Sequence, residues 1–435
     1  MDRFSWHGFL FAPISLSESL REKINCSPKW RPWQERFPGQ EAEQIEDMRK
    51  FLIAPIREKI FPLCESSPCS RKTLVMERVE GGLPWFPERN GQLATIQWVD
   101  LLILDTFSLL IFKLSADQQQ DQQLGTEDLY SLNRKLPAWF KRHPGDDIAH
   151  WRTAETDKTT LKDWVEKKLF GFSEKEGGEA FGDTDWFGHS LPMASFVGSP
   201  NQSEVIPDEH FINLLVGAPH GNRTYDLCAA EIQRVSTEHV FQVYNNWLLG
   251  DLNNRILFYA AKEGSRSLII NIEKHYIYAL ASVFYQKIML IHFLEEFIKT
   301  KIYDKNKKSL RYSIVQFRKQ YSFGKISTYY IGEKIYEFFM KIDNIGEIND
   351  KITKEISKSD DYENINLRRK EGNYLFFFAS FAAILLPVST VGTIFSVQEK
   401  YLFVFPSKFW TSTLALTAVF IVWLIWLKFF LRKQK

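Results

Sequence analysis

The chain has 435 residues and a formal net charge of +2, with 45% hydrophobic and 25% charged residues. This near-neutral balance gives no electrostatic reason to expect a DNA or RNA partner. The length exceeds one ordinary domain, and the N-terminus lacks the basic, then apolar, then small pattern of a secretory signal. Any membrane targeting is therefore expected to come from the C-terminal residues.

Residues 1–225 are predicted to form a cytosolic α/β domain, which is a candidate ligand sensor. Apolar runs rich in β-branched and aromatic residues predict strands, and amphipathic spacing predicts helices. Asp105 and Thr106 are predicted to form a tight turn between two strands. The predicted strands are residues 72–79, 95–104 and 107–114, and the predicted helices are residues 41–60, interrupted at Pro55, and 126–140.

No stretch of the chain predicts catalysis. The glycine-rich segment 177–188 contains Asp183 and Asp185, but it lacks the ligand number and register of a calcium loop, so a solvated turn is favoured. Cys64 and Cys69 lack the second pair that a zinc site needs. The sequence has no phosphate-binding loop, zinc-protease motif or serine-hydrolase motif. The chain is predicted not to be an enzyme, and no metal site or resident cofactor is identified.

Residues 226–373 are predicted to form a helical domain that ends in a stalk helix. Residues 275–297 are apolar enough to resemble a membrane span, but Lys287, Glu295 and Glu296 lie within them. A charge at the bilayer centre costs about 2.5–3.5 kcal/mol. A buried cytosolic helix is therefore expected here.

A basic stretch with interleaved aromatic residues follows at residues 299–325. One interpretation is a site for an anionic ligand such as a nucleotide, with arginine on phosphate and an aromatic ring under the base. The alternative is a solvated face, or one attracted to anionic lipid. The candidate ligand-binding residues are Lys305, Lys307, Lys308, Arg311, Arg318 and Lys319.

Apolar residues then recur every three or four positions from 331 to 356, which predicts one long helix that runs into the membrane segment. Acidic residues along this helix are either ordinary solvated charges or a lining that concentrates cations. The apolar seam is Ile331, Ile335, Phe338, Ile342, Ile345, Ile348, Ile352 and Ile356, and the acidic residues are Asp343, Glu347, Asp350, Glu355, Asp360, Asp361 and Glu363.

Residues 374–431 are predicted to form a transmembrane hairpin. Its two apolar runs, 374–397 and 410–431, contain a single charged residue, Lys428, and each is long enough to cross a hydrocarbon core of about 30 Å. Basic residues precede the first run and form the tail 432–435. Because lysine and arginine stay on the cytoplasmic side, both termini are predicted to be cytoplasmic.

The first run carries hydroxyl groups at helical spacing, at Ser389, Thr393 and Ser396, and a proline at position 387. Hydroxyl groups inside a membrane either bond back to their own helix or line a wet axis between helices. Pro387 removes one backbone hydrogen bond and permits a bend. A bundle of helices is the interpretation that we favour.

This C-terminal arrangement resembles the CorA-type metal-ion transporters. Their first span carries a Leu-Pro-x-Thr segment and closes on an aromatic residue followed by Gly-Met-Asn, and here 386–389 is Leu-Pro-Val-Ser and Phe395 precedes Ser-Val-Gln at 396–398. The resemblance covers roughly the last hundred residues. It implies an α+β cytosolic domain, a long-helix stalk and two transmembrane helices in a funnel-shaped homo-oligomer, a pentamer in that family.

The resemblance also implies a pore face on the first span. In the family the outer mouth holds a hydrated divalent cation, so Mg²⁺ is a candidate permeant or regulatory ion, although Gln398 in place of asparagine puts dedicated Mg²⁺ selectivity in doubt. Phe378 and Leu386 are expected to form apolar constrictions that gate by dewetting. The implied pore residues are Leu375, Phe378, Ala382, Leu386, Ser389, Thr393 and Ser396, with Gln398 at the mouth.

The large aromatic cytosolic part and the absent Gly-Met-Asn motif are similar to the CorA-like effectors of type III CRISPR systems, which are controlled by a nucleotide second messenger during phage infection. The expectation is a ligand-gated cation channel in the bacterial inner membrane that acts in antiviral defence. Its partners are membrane lipid, further copies of itself and a nucleotide. Two alternatives stay open: a constitutive transporter of Mg²⁺, Zn²⁺ or Co²⁺, and a non-conducting, membrane-anchored interaction protein.

Overall fold

A computed structural model places the chain in two compact units, Met1–Ile356 and Ser357–Lys435. The residues that the structure describes are 4–36, 42–62, 71–75, 83–85, 94–116, 124–139, 149–152, 159–173, 177, 180, 190–199, 208–217, 227–252, 254–299, 306–321 and 324–399. The side chains of 384–399 lie outside this description.

The first unit is built around β-strands. These are β1 (Ser5–Ile14), β2 (Arg31–Pro32), β3 (Arg71–Val75), β4 (Leu83–Trp85), β5 (Ala94–Ile103), β6 (Ser108–Ala116), β7 (His150–Arg152), β8 (Met193–Gly198), β9 (Val240–Tyr244), β10 (Trp247–Leu252) and β11 (Arg255–Ala260). The main sheet has the order β2-β3-β5-β6-β1-β8-β11-β10-β9, while β4 pairs with β7. Neighbouring strands are antiparallel except β8 and β11, which run parallel.

Both faces of the main sheet are buried. In β1, Phe9 and Phe11 belong to one apolar core, and Leu10 and Ala12 belong to the other, because successive side chains of a strand point to opposite faces. A strand that is covered on both faces must be apolar at nearly every position. The near-continuous apolar sequences of β1, β5 and β6 follow from this.

Helices cover both faces of the main sheet, and the last helix continues into the second unit. They are α1 (Glu18–Cys26), α2 (Ala42–Lys50), α3 (Ala54–Ile60), α4 (Thr126–Lys135), α5 (Leu161–Trp164), α6 (Glu209–Val216), α7 (Ala229–Glu238), α8 (Lys262–Asn271), α9 (Ile277–Lys299), α10 (Asn306–Tyr321), α11 (Tyr330–Ile342) and α12 (Ile345–Glu399). Helices α9, α10 and α11 pack on the sheet face that holds Phe9. Helices α1, α4 and α6 pack on the opposite face.

Several predicted elements are confirmed. Strands β5 and β6 and the turn between them at Asp105 occur as predicted, and the predicted helix 41–60 is divided into α2 and α3 just before Pro55. Helix α4 ends at Lys135, earlier than predicted. The predicted strand 72–79 is observed as β3 as far as residue 75, and the remainder lies outside the described residues.

Residues 226–373, predicted to form a helical domain, contain long helices and in addition β9, β10 and β11, which complete the main sheet. The sheet therefore continues past the predicted boundary at residue 225. Short apolar strands such as Trp247–Leu252 do not differ in periodicity from a piece of buried helix, which is why the sequence does not predict them. The α+β class expected for the first unit is observed.

Helix α9 is the core of the helical layer, as predicted. Among the residues whose side chains the structure describes, 266–299 form the one helix long and apolar enough to cross a membrane, and most of its apolar window is buried within the first unit. The π-helical turn Ile272–Tyr276 lies within this helix and joins α8 to α9. Tyr278, Phe284 and Met289 all face the apolar core.

The single long helix predicted from residue 331 onward is interrupted. Helix α11 ends at Ile342, and α12 begins at Ile345. Between them Asn344 has a φ of 52°, a left-handed conformation that asparagine tolerates better than most residues. The apolar seam continues across the break, because Ile335 and Ile352 are buried in the same core. The seam packs on the chain's own sheet domain.

Candidate functional site

The second half of α12 presents an apolar belt after a basic cluster. Arg368, Arg369 and Lys370, here called the basic collar, are exposed, and large apolar side chains follow on the same helix from Tyr374 onward. The belt consists of Tyr374, Leu375, Phe376 and Phe378, which are between 63% and 71% exposed. Water does not favour such a cluster of exposed rings, so the belt marks a surface that lipid or another protein covers.

The predicted pore residues all lie on α12. Leu375, Phe378 and Ala382 are exposed. The backbone of the other five is helical, while their side chains lie outside the described residues: Leu386, Ser389, Thr393, Ser396 and Gln398. The helix continues through Pro387. The second predicted span, 410–431, lies outside the described residues.

The predicted ligand-binding residues whose side chains the structure describes differ in their exposure. Lys308 and Lys319 are exposed, and Arg311 is half-buried. Arg318 Nη2 donates to the Asn349 carbonyl at 3.1 Å and to the Thr353 hydroxyl at 2.8 Å. Lys305 and the side chain of Lys307 lie outside the described residues.

The environment of Arg318 fits a structural contact. Burial lowers the pKa of this guanidinium, and the nearby carboxylate of Asp350 acts in the opposite direction. Two of its hydrogen-bond acceptors belong to the start of α12, so Arg318 fastens α10 to that helix.

The C-terminal end of α10 is held by a polar cluster that the sequence did not predict. The Tyr321 hydroxyl donates to Asp105 Oδ2 at 2.9 Å, and Lys59 Nζ donates to Gln320 Oε1 at 2.9 Å. Lys59 Nζ also lies 3.7 Å from the centre of the Tyr321 ring. Burial, together with Tyr285 and Asp105, raises the pKa of Tyr321. The cluster joins α3, α10 and the β5–β6 turn, and its residues are too far apart in sequence for a motif to reveal it.

The acidic residues predicted along the stalk differ in their surroundings. Glu347, Asp350, Asp360 and Asp361 are exposed, and Glu355 is half-buried. Asp343 fits neither the solvated nor the lining interpretation, because its side chain is buried and paired with Lys287. The side chain of Glu363 lies outside the described residues.

Within the described residues, no group of three or more histidine, cysteine, aspartate or glutamate side chains is placed to hold a metal ion. Asp183 and Asp185, and Cys64 and Cys69, lie outside that part of the chain. Cys26 and Cys228 are exposed free thiols.

No family profile, curated protein or solved structure matches this chain. The resemblance to CorA-type transporters thus stays a prediction from residues 386–398 and the order of the C-terminal elements. What the geometry adds is a helix with a basic collar and an exposed apolar belt. That arrangement is typical of a helix that enters a bilayer from the side that carries the basic residues.

Proposed function

We propose that this chain is a membrane protein whose copies assemble around a cation conduit lined by the second half of α12. The observation that carries the proposal is the belt of exposed side chains that follows the basic collar on α12. The belt consists of Tyr374, Leu375, Phe376 and Phe378. Tyrosine is enriched at the membrane–water interface of membrane proteins, and lysine and arginine are enriched on its cytoplasmic side. The basic collar and Tyr374 follow one another in this order along α12. The apolar run at 410–431 supplies the second arm of the hairpin.

Conduction needs more than an anchor, and the hydroxyl stripe supports it. Ser389, Thr393 and Ser396 recur at helical spacing in a run that contains no charged residue. In a lone helix they would gain only bonds to their own backbone. Around a shared axis they would line a wet path, with Phe378 and Leu386 as apolar constrictions.

The first unit is proposed to sense a ligand and to control this conduit. Arg318 supports such a link because it joins α10 to α12 near the start of the helix. An anionic ligand on the exposed lysines of α10 is the candidate signal, and a nucleotide second messenger of the type III CRISPR kind is the specific form of that hypothesis. The inner membrane of a bacterium, with both termini cytoplasmic, is the proposed location.

Cysteine accessibility tests the lining directly. Ser389→Cys and Val391→Cys are matched variants, because both add one thiol to the same turn of α12 and point to different faces. In liposomes, a charged thiol reagent is expected to block ion flux through Ser389→Cys and to leave Val391→Cys unaffected. Equal block of both variants, or block of Val391→Cys alone, would exclude the proposed pore face. A single-copy mass in detergent would favour the non-conducting anchor.

A further inference from the structure

A buried group of polar side chains lies at the turn between α11 and α12. Lys287 on α9 donates to Asp343 Oδ1 and, at 2.8 Å, to Asn254 Oδ1. Asp251 lies near the end of β10, in the same β-hairpin as Asn254. Asp251 is 1% exposed and Asp343 is 7% exposed, so water does not solvate either carboxyl group.

The hydrogen bonds of this group do not balance two charged carboxylates. Asp251 Oδ2 and Asp343 Oδ2 are both buried without a hydrogen-bond donor. A buried carboxylate oxygen that lacks a donor is costly, and two carboxylates beside one ammonium leave one negative charge uncompensated. A single proton on either carboxyl group removes that charge.

The surrounding charged groups offer no other source of compensation. Asp343 and Lys287 are the charged side chains that act on Asp251, whose pKa is raised well above its ordinary value by burial and then by Asp343. Burial also raises the pKa of Asp343, against the effect of Lys287. The His239 ring contacts the backbone carbonyl of Asp251, with Nδ1 at 2.9 Å.

The charged residues on the neighbouring elements point elsewhere. Arg255 at the start of β11 donates to the Val216 carbonyl at 2.7 Å, and Glu337 and Lys341 on α11 and Glu347 on α12 are exposed. Strand β9, Val240–Tyr244, contains no charged residue.

We propose that Asp251 and Asp343 are a buried acid pair that retains one proton at neutral pH, and that this proton stabilises the turn at which α12 begins. Two carboxyl groups that share a site titrate as a pair, and one of them keeps its proton far above the ordinary range. Loss of this proton leaves an uncompensated charge in the group that includes Asp343, which directly precedes Asn344, the left-handed residue of the turn. Because the pair lies in the first unit, this stabilisation holds whether or not α12 crosses a membrane.

The sign of the pH dependence follows from the raised pKa. In the folded chain the acid pair binds its proton more tightly than free aspartate, so its contribution is complete below about pH 4 and is lost as the pH rises toward the raised value. Asp251→Asn replaces the protonated acid by a neutral amide of the same shape. The variant is therefore expected to melt at a higher temperature than the wild type at neutral and alkaline pH, with a difference that vanishes near pH 4.

The experiment compares full-length wild type, Asp251→Asn and the control Asp350→Asn, an exposed residue of α12, in the same detergent from pH 4 to pH 9. A difference in melting temperature from the wild type that widens with pH for Asp251→Asn, and not for Asp350→Asn, supports the retained proton. A gap that is independent of pH, or a variant less stable throughout, overturns it. Stabilisation of the wild type by added Na⁺ or Mg²⁺, absent in Asp251→Asn, would assign the pair to a cation and also overturn it.

Infrared spectroscopy gives a second readout that does not depend on stability. The carbonyl band of a protonated carboxylic acid is expected in the wild type at neutral pH and is expected to disappear in Asp251→Asn. An unchanged band in that variant would contradict the assignment even if the melting temperatures agreed with it.

Discussion

Placing a charge in the apolar half of α12 separates a membrane span from an exposed helix in water. At about 1.5 Å per residue, Ala383 lies roughly 14 Å beyond Tyr374 along α12, near the middle of a hydrocarbon core of about 30 Å. Ala383 is exposed and lies outside the predicted pore residues. Arginine there costs about 2.5–3.5 kcal/mol in a bilayer, a roughly 70- to 400-fold fall in the ratio of inserted to uninserted chains.

The assay is synthesis of the full chain with liposomes, followed by labelling of a cysteine placed in the link 398–409 from the outer solution. Ala383→Arg is expected to lower the fraction of links that cross the bilayer by at least tenfold. Ser357→Arg is the matched control, because it adds the same side chain to an exposed position on the same helix before the basic collar. Equal insertion of the two variants and the wild type would refute the span.

Three further predictions concern the first unit and are measured by unfolding of the full chain in detergent. Arg318→Ala is expected to lower the free energy of unfolding by about 1–3 kcal/mol, because both hydrogen bonds to the start of α12 disappear. Lys319→Ala, at an exposed neighbour, should change it by less than about 0.5 kcal/mol. Equal effects of the two variants would contradict the link. Gly332→Ala puts a methyl group 2.5 Å from an aromatic ring and a hydroxyl and is expected to cost about 1–3 kcal/mol, while Gly346→Ala, with nothing within 4 Å, should be neutral or stabilising; the reverse order would refute this packing. Burial, and then Lys274, lowers the pKa of His275 to about 4, so its contribution to stability is expected to be lost as the pH falls from about 6.5 toward about 4, and His275→Gln should remove that part of the slope; an unchanged slope would contradict it.

The sequence predicts those elements whose signal is local. Strands β5 and β6 follow from long apolar runs separated by Asp105 and Thr106, and the division of α2 from α3 follows from Pro55. The apolar and basic patterning of residues 368–397 is also local, which is why the belt and its collar were visible before the structure.

Other features depend on contacts between residues far apart in the chain. Strand β8 lies between β1 and β11, yet its six residues carry no pattern that separates a strand from other buried segments. Asn344 is a local signal for the end of a helix, but the apolar spacing that continues across it favoured one uninterrupted helix. Asp251, Lys287 and Asp343 are far apart in the sequence, and only the fold brings them together.

Ion flux by the purified full-length chain in liposomes tests the central claim most directly. The proposal predicts that the chain forms an oligomer that carries cations across the bilayer, with flux that changes when a candidate nucleotide is added on the side of the first unit. A monomer that inserts but conducts no ion, with or without nucleotide and at any Mg²⁺ concentration, would contradict it. Flux that ignores nucleotides and stops at millimolar Mg²⁺ would instead identify a constitutive transporter.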